Sequence, residues 1–513
     1  MTLPTRMSTT TARRRICALI AAPLLGLLAS CGGGGDNNAT GGTSIGLDAS
    51  SKLAQTCAAP RPSGTVDPFT GRAYGDIQGT GDDEKRFLRS WIDETYLWYQ
   101  DVRALPATTL DASLYATPKA YFAVLKSPLT TPSGKAKDPF HFTYDTPTWV
   151  ALAQSGVSFG YGFEVALVSA TVPRSAIVAF TQPGTTAATN GIARGAAILT
   201  VDGVDVMSGT DTATINAGLF PKATGRHTLL IRDFGASASR TVTMDASAIT
   251  EVPVQNVKTL PAPNANVGYM LFNDHIATSE AQLAAAVSQL KAAAITDLVL
   301  DIRYNGGGYL DIASDLAYMI AGPASTAGKF FERLSFNDRN PFPASTTGFH
   351  ATSQGFSSAL PAGSPLPTLN LARVYVLTSA DTCSASEAII NGLRGAGVAV
   401  NLIGGTTCGK PYGFYPRDNC NTTYFSIQFQ GVNNLGFGDY ADGFAPTCPV
   451  ADDFSHALGD PAENQLEVAL GLRNSGTCTT PIGVARKATV GDLQSSPVLV
   501  RSPFRENRIY LPR

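Results

Sequence analysis

Residues 371 to 413, LARVYVLTSADTCSASEAIINGLRGAGVAVNLIGGTTCGKPYG, constrain this chain more than any other stretch. The apolar run Arg373 to Thr378, with its β-branched residues, reads as a buried strand. It breaks at Ser379-Ala380-Asp381 and gives way to helical spacing through Ala388, Ile389 and Leu393. A second apolar strand, Val398 to Ile403, ends in Gly404-Gly405-Thr406-Thr407-Cys408-Gly409-Lys410. Two strands joined by a helix in this order form a right-handed crossover with both C-terminal strand ends on one sheet edge, where Ser384 and Lys410 can meet. A serine at such a strand-to-helix switch lies beside the unsatisfied amides of the first helical turn, which can stabilise an oxyanion. The same residues also fit a plain helix cap, because Ser384-Ala385-Ser386-Glu387 has capping-box spacing. A serine hydroxyl needs a base before it can attack.

A second stretch, Asp297 to Leu310, DLVLDIRYNGGGYL, runs a buried strand, Leu298 to Ile302, into Asn305 and three glycines. Glycine permits close backbone approach, and amides there can donate to an anion, although a tight turn is the simpler reading. The S-A-S-E after a strand, the later G-K and the upstream D-I-R-x-N-x-G-G together resemble the S41 serine peptidases, the C-terminal processing or tail-specific enzymes, over residues 155 to 475. That resemblance implies an acyl-enzyme mechanism with Ser384 as nucleophile, Lys410 as general base, the amides of Ala385 and Gly307 as oxyanion hole, and no metal or organic cofactor. Lys410 would have to be neutral, and therefore buried.

Two departures stand out. The processing peptidases carry a glutamine four residues after the lysine, where this chain has Phe414. Gln428 or Gln430, around an expected strand Tyr424 to Phe429, are the substitutes on offer. DIRYNGGGY also resembles the tricorn-type branch of the family, which uses a histidine, and His275, after the strand ending at Phe272, is the alternative base. Cys383 and Cys408 flank the two expected catalytic residues, so a bridge between them would fix the dyad.

The start of the chain reads as targeting sequence. Arg13-Arg14-Arg15 precedes an apolar stretch, Ile16 to Leu28, too short to span a bilayer comfortably, and Leu28-Ala29-Ser30-Cys31 resembles a bacterial lipobox. Acylation of Cys31 would anchor the chain in the bacterial envelope, and Gly32 after it suggests the outer membrane, facing the periplasm or the cell surface. No later stretch is apolar enough to span. A formal net charge of -2 with 15% charged residues shows no basic excess, which argues against nucleic acid as a partner. Beyond Cys17 and Cys31, six cysteines remain at 57, 383, 408, 420, 448 and 478, an even number that allows disulfides in an exported chain.

The expected organisation is an α+β multidomain protein. A signal peptide, 1–31, leads into a flexible tether, 32–80, and a helical region, 81–153, with Phe87, Leu88, Trp91 and Ile92 on one face. A PDZ-like module, 154–250, follows. Gly160-Tyr161-Gly162-Phe163 resembles the carboxylate loop of PDZ domains, so the amides of Tyr161, Gly162 and Phe163 are the expected holders of a substrate C-terminus added as a strand. The peptidase domain spans 251–478, with an S-x-x-Q cap expected at Ser279 and Gln282, and a tail without periodicity covers 479–513. Its partners would be protein or peptide substrates. The competing class of function is a peptide-binding lipoprotein with a degenerate peptidase body.

Overall fold

The computed structural model describes residues 47–169, 172–481, 498–500 and 508–510. The expected signal peptide and its lipidation residue Cys31 lie outside the described residues. Among those described, no helix is long and apolar enough to cross a membrane.

A six-stranded sheet forms the body of residues 251–478, in the order Val254–Thr259, Val267–Phe272, Asp297–Asp301, Arg373–Thr378, Ala399–Gly404, Cys448–Pro449. The first strand is antiparallel to its neighbour and the rest are parallel. Parallel strands covered on both faces read as unbroken apolar runs, and Val267–Phe272 and Asp297–Asp301 are buried at every position. Helices Ser279–Ala292, Leu310–Thr326, Ala385–Ala396 and Asn464–Ser475 accompany the sheet, and the large core includes Leu283, Leu316, Ile389 and Leu393. The capping box expected at Ser279 does not form. Ser279 lies inside the first turn, its Oγ donates to Ile276 O, and Gln282 Oε1 accepts from Val254 N at 3.2 Å.

Residues 48–80 are not a tether. Cys57 is disulfide-bonded to Cys420, Gln55 N donates to Asn419 Oδ1 at 2.7 Å, and Arg61 pairs with Asp76 at 2.7 Å and Asp418 at 2.8 Å. One covalent link and buried ion pairs hold a proline- and glycine-rich segment that composition alone marks as flexible. The helical region merges into the large core of that sheet. Helix Gly81–Thr95, capped by Thr80 and Asp83, buries Phe87, Leu88, Trp91 and Ile92, and strand Phe142–Asp145 pairs with Thr422–Phe425. The excursion after residue 325 also holds regular structure, since Phe330–Phe336 pairs with both Ser345–Gly348 and Phe429–Val432.

Between helix Thr146–Ser155 and the peptidase sheet lies a β-rich module with its own core. Its strands run in the order Phe163–Ser169, Ser175–Thr181, Ala197–Val201, Gly225–Arg232, Arg240–Thr250, Val157–Gly160, with helix Thr212–Leu219 beside them. Arg194 ties the module to the six-stranded body. Its guanidinium meets Asp452 at 2.6 Å and Tyr304 Oη at 2.5 Å.

Candidate active site

The Ser384 turn links strand Arg373–Thr378 to helix Ala385–Ala396. Ser384 has φ 61° and ψ -117°, in a region that costs a non-glycine residue about 1–3 kcal/mol. A sharp strand-to-helix turn in that conformation thrusts the side chain out of the backbone path, as nucleophile elbows do. Ser384 is fully buried and its Oγ has no hydrogen-bond partner. Ser384 and Glu387 have the placement of a capping box, and Glu387 Oε2 accepts from Ser384 N at 2.9 Å, but the hydroxyl itself makes no hydrogen bond.

Glu387 does more than cap. Its carboxylate also accepts from Thr407 Oγ1 at 2.6 Å, Gly409 N at 2.9 Å and Lys410 N at 2.8 Å. Burial raises its pKa, and these donors oppose that rise. One buried carboxylate thus pins the Lys410 loop to the Ser384 turn. Cys383 and Cys408 add a covalent link, with Cα atoms 5.2 Å apart, as the sequence suggested. These sulfurs lie close to Glu387, but as a disulfide they are not metal ligands. Lys410 is fully buried, with Nζ 4.3 Å from the Phe414 ring centroid and 4.7 Å from that of Phe140. Aromatic faces attract an ammonium rather than a neutral amine.

Asn305 is the second hub. Its backbone O accepts from Cys383 N at 3.1 Å and Ser386 Oγ at 3.0 Å, one on each side of Ser384. Its side chain holds His275: Nδ2 donates to Phe272 O at 3.0 Å, Oδ1 accepts from Gly307 N at 2.9 Å, and His275 Nδ1 lies 3.0 Å from Oδ1. The amide orientation is fixed by those two partners, so His275 must carry its proton on Nδ1. Its Nε2 is then a bare lone pair, buried and without a partner. Burial drives the His275 pKa from 6.5 down to about 3, against weaker help from Asn305 and Gly307, so the ring is neutral at ordinary pH.

The glycines make this packing possible. Gly308 has φ 144°, and a Cβ there would lie 2.2 Å from His275 O. His275 N donates to Gly307 O at 3.2 Å, and Tyr309 N to His275 O at 2.9 Å. Beside them opens a cavity of about 550 Å³, lined by Phe69, Tyr74, Trp149, Tyr309 and Phe356. A larger cavity, about 750 Å³, lies in the β-rich module against Ala217, Phe220 and His227 and contains none of these groups.

Residues 266–414 match the model of peptidase family S41. The matched segment carries both the glycine strand and the Ser384 turn. A Bacteroides fragilis protein assigned as an S41 protease shares the fold, with TM-score 0.58 and 22% identity over 79% of this chain and 98% of that one. The photosystem II D1 C-terminal processing protease aligns with TM-score 0.46 and 19% identity over 77% and 98%. No curated protein matches the sequence. The family match supports peptidase function, and the shared fold agrees with the α+β body described above.

The expected oxyanion-hole amides are differently placed. The Gly307 amide donates to Asn305 Oδ1 at 2.9 Å, the asparagine side chain folding back over the turn. Ala385 stands at the first position of its helix, as expected for the other donor. Phe414 is buried against Lys410, Gln428 Nε2 donates to Tyr415 O at 3.2 Å, and Gln430 Nε2 donates to Gly438 O at 2.9 Å. Tyr161, Gly162 and Phe163 lie far along the chain at the start of strand Phe163–Ser169. Tyr161 is buried, with its hydroxyl donating to Gly218 O at 3.0 Å. The recess at this loop is only about 40 Å³ and is lined by Glu251 and Gln182. Two residues that organise these turns are not evident from the sequence pattern. Glu387 was visible as the fourth letter of S-x-x-E but looked like a cap, and Asn305 was visible only as part of a turn.

Proposed function

We propose that this chain is a serine peptidase that cleaves extended polypeptides through an acyl-enzyme on Ser384, displayed at the bacterial envelope by an acylated Cys31. The reading rests on one observation: a strained serine whose hydroxyl is buried without a partner, bracketed by Asn305 together with a neutral histidine whose Nε2 is equally unpartnered. Other buried polar atoms also lack partners, but here a hydroxyl and an imidazole nitrogen, the pair that nucleophilic catalysis needs, are held by one asparagine.

In this mechanism Ser384 Oγ forms a bond to the scissile carbonyl carbon while its proton passes to His275 Nε2. The Ala385 amide at the helix start faces the developing oxyanion. Collapse breaks the C–N bond and returns the proton to the leaving amine, and water then releases the acyl group by the same path. Asn305 holds the imidazole in the tautomer this requires. Lys410 is the second candidate base, favoured by its complete burial and by the Glu387 and disulfide links to the Ser384 turn. The aromatic-lined cavity beside Tyr309 suits a large apolar side chain of the substrate.

The PDZ-like module would select substrates by adding them as a strand along Phe163–Ser169. Capture of a free C-terminal carboxylate by the Tyr161, Gly162 and Phe163 amides is opposed by Glu251 in the adjoining recess, which favours an internal extended segment over a chain end.

Hydrolysis of an unstructured polypeptide by the mature chain tests the assignment. His275→Ala and Lys410→Ala then separate the bases. The first is expected to reduce kcat/KM about 1,000-fold and the second far less; the reverse ranking makes Lys410 the base.

A further inference from the structure

All six cysteines from residue 57 onward are paired, and the three bridges serve different ends. The Cys57–Cys420 bridge fixes the segment before the helical region. The Cys448–Cys478 bridge joins the last strand of the six-stranded sheet to the chain just after helix Asn464–Ser475. The third stands apart. One of its sulfurs belongs to Cys383, the residue before Ser384, and the other to Cys408, two residues before Lys410.

The two ends of this bridge are held unequally. Cys383 is fully buried, its N donates to Asn305 O at 3.1 Å, and Oγ1 of the preceding Thr382 donates to Ile302 O at 3.0 Å. This end is part of the turn that keeps Ser384 at φ 61°. Cys408 is half-buried, in a stretch without regular structure between strands Ala399–Gly404 and Tyr412–Gly413. Gly404 at φ 126° and Gly409 at φ 89° bend that stretch, so it is the side able to yield. Its inward bonds to the turn are few: Cys408 N to Thr382 O at 3.0 Å, and Gly409 N, Lys410 N and Thr407 Oγ1 to Glu387.

Opening the bridge cannot leave this geometry as it is. A bond becomes a non-bonded contact, so the two sulfurs must part, and in close-packed surroundings the motion passes to the backbone. Asn305 pins the Ser384 turn, so the Lys410 loop gives way and draws its amides from Glu387. A strained backbone persists only where its surroundings over-determine it, and the bridge and the shared Glu387 carboxylate are two of the constraints on Ser384. Reduction weakens both, whichever group is the base.

We propose that the Cys383–Cys408 bridge is a thiol–disulfide exchange site that switches the peptidase. Bridged, it assembles the Ser384 turn with the Lys410 loop; opened by a dithiol, it releases the loop and lets Ser384 relax. The attacking thiolate reaches Cys408 Sγ, the more accessible sulfur, bonds to it and expels the Cys383 sulfur, which takes up a proton. The second thiol of the reductant then displaces Cys408, so both cysteines end as thiols and the reductant leaves as a disulfide. A chain still in a reducing compartment is thereby silent and gains activity once oxidised. The switching half rests on the peptidase reading above; release of the loop does not.

The test uses the full mature chain in graded mixtures of reduced and oxidised dithiothreitol. Differential alkylation with peptide mapping reports which bridge is open, and fluorophosphonate labelling of Ser384 is timed in the same mixtures. Labelling is expected to slow about 100-fold as the Cys383–Cys408 bridge opens and to recover on reoxidation. Cys448→Ala with Cys478→Ala should leave this response intact, whereas Cys383→Ala with Cys408→Ala should label slowly in every mixture. Amide hydrogen exchange reads the loop without catalysis. Residues 404–413 should exchange at least about 10-fold faster in the reduced chain, while Val267–Phe272 and Arg373–Thr378 stay protected. That result supports loop release even if the oxidised chain takes no adduct, an outcome that counts against the peptidase reading alone. Unchanged exchange with the bridge open overturns the proposal, and faster exchange with labelling unchanged overturns the switch. Loss of protection throughout the sheet overturns it as well, since the bridge would then hold the whole fold and not the site.

Discussion

Residues 301 to 305 serve two buried polar clusters that could hardly be treated more differently. Arg303 is fully buried, and its guanidinium is met by Asp301 at 3.0 Å, Glu463 at 2.7 Å and Asp452 at 2.7 Å, with Arg194 joining from the β-rich module. Two residues later Asn305 brackets Ser384 and His275, and there Oγ and Nε2 are buried with no partner at all. The two clusters are equally buried and differ in how fully their polar atoms are paired. The guanidinium network spends its donors on holding the motif and the module in place. The serine and the histidine keep an unmet donor and an unmet lone pair, a cost the fold retains beside a strained backbone.

The comparison breaks most sharply if both clusters respond alike to removal. Ser384→Ala deletes an unsatisfied hydroxyl, so activity is expected to fall at least about 1,000-fold while the unfolding midpoint in urea stays within the spread of a neutral substitution, about 0.5 kcal/mol. Arg303→Met strands three carboxylates and should cost about 3–5 kcal/mol, read as a large shift of that midpoint, with activity following stability. Glu387→Gln is intermediate. It turns one donor-accepting oxygen into a donor facing N–H groups, and about 1–3 kcal/mol of stability should go with a drop in kcat but little change in KM.

Acid sharpens the contrast by a smaller amount. His275 has a folded pKa depressed from 6.5 to about 3, so the unfolded chain binds the extra proton between those values. Its contribution to stability is complete above 6.5 and is lost as pH falls toward 3, at no more than about 1.4 kcal/mol per pH unit. In His275→Ala this part of the slope should vanish from denaturant titrations run across that window. If the same histidine is the base, it stays neutral throughout the window, and kcat/KM should show no acid limb near pH 6.5. A rate that keeps climbing on the alkaline side points to Lys410.

Much of this was legible in the sequence, for reasons that also explain the gaps. Arg373–Thr378 and Val267–Phe272 appear where the apolar runs place them, because strands of a covered parallel sheet carry no other pattern. Ser384 and Lys410 were marked by the strand ends that deliver them, and the Cys383 to Cys408 bridge by its flanking of both. What local pattern cannot carry is partner choice at long range. Residues 48–80 look like a linker because the disulfide and the aspartate that fix them are more than 300 residues away, at Cys420 and Asp418. The Gly307 amide looks free until the Asn305 side chain is seen to take it, and Glu387 looks like a cap until the Lys410 loop arrives to share it.

The central claim is that the Ser384 hydroxyl is a nucleophile in waiting, and covalent capture tests it most directly. The mature chain treated with a fluorophosphonate should gain one adduct by intact mass, mapped by digestion to the peptide containing Ser384, with labelling abolished in Ser384→Ala and slowed when the base is removed. A folded chain that takes no adduct, or takes it at another serine, contradicts the account.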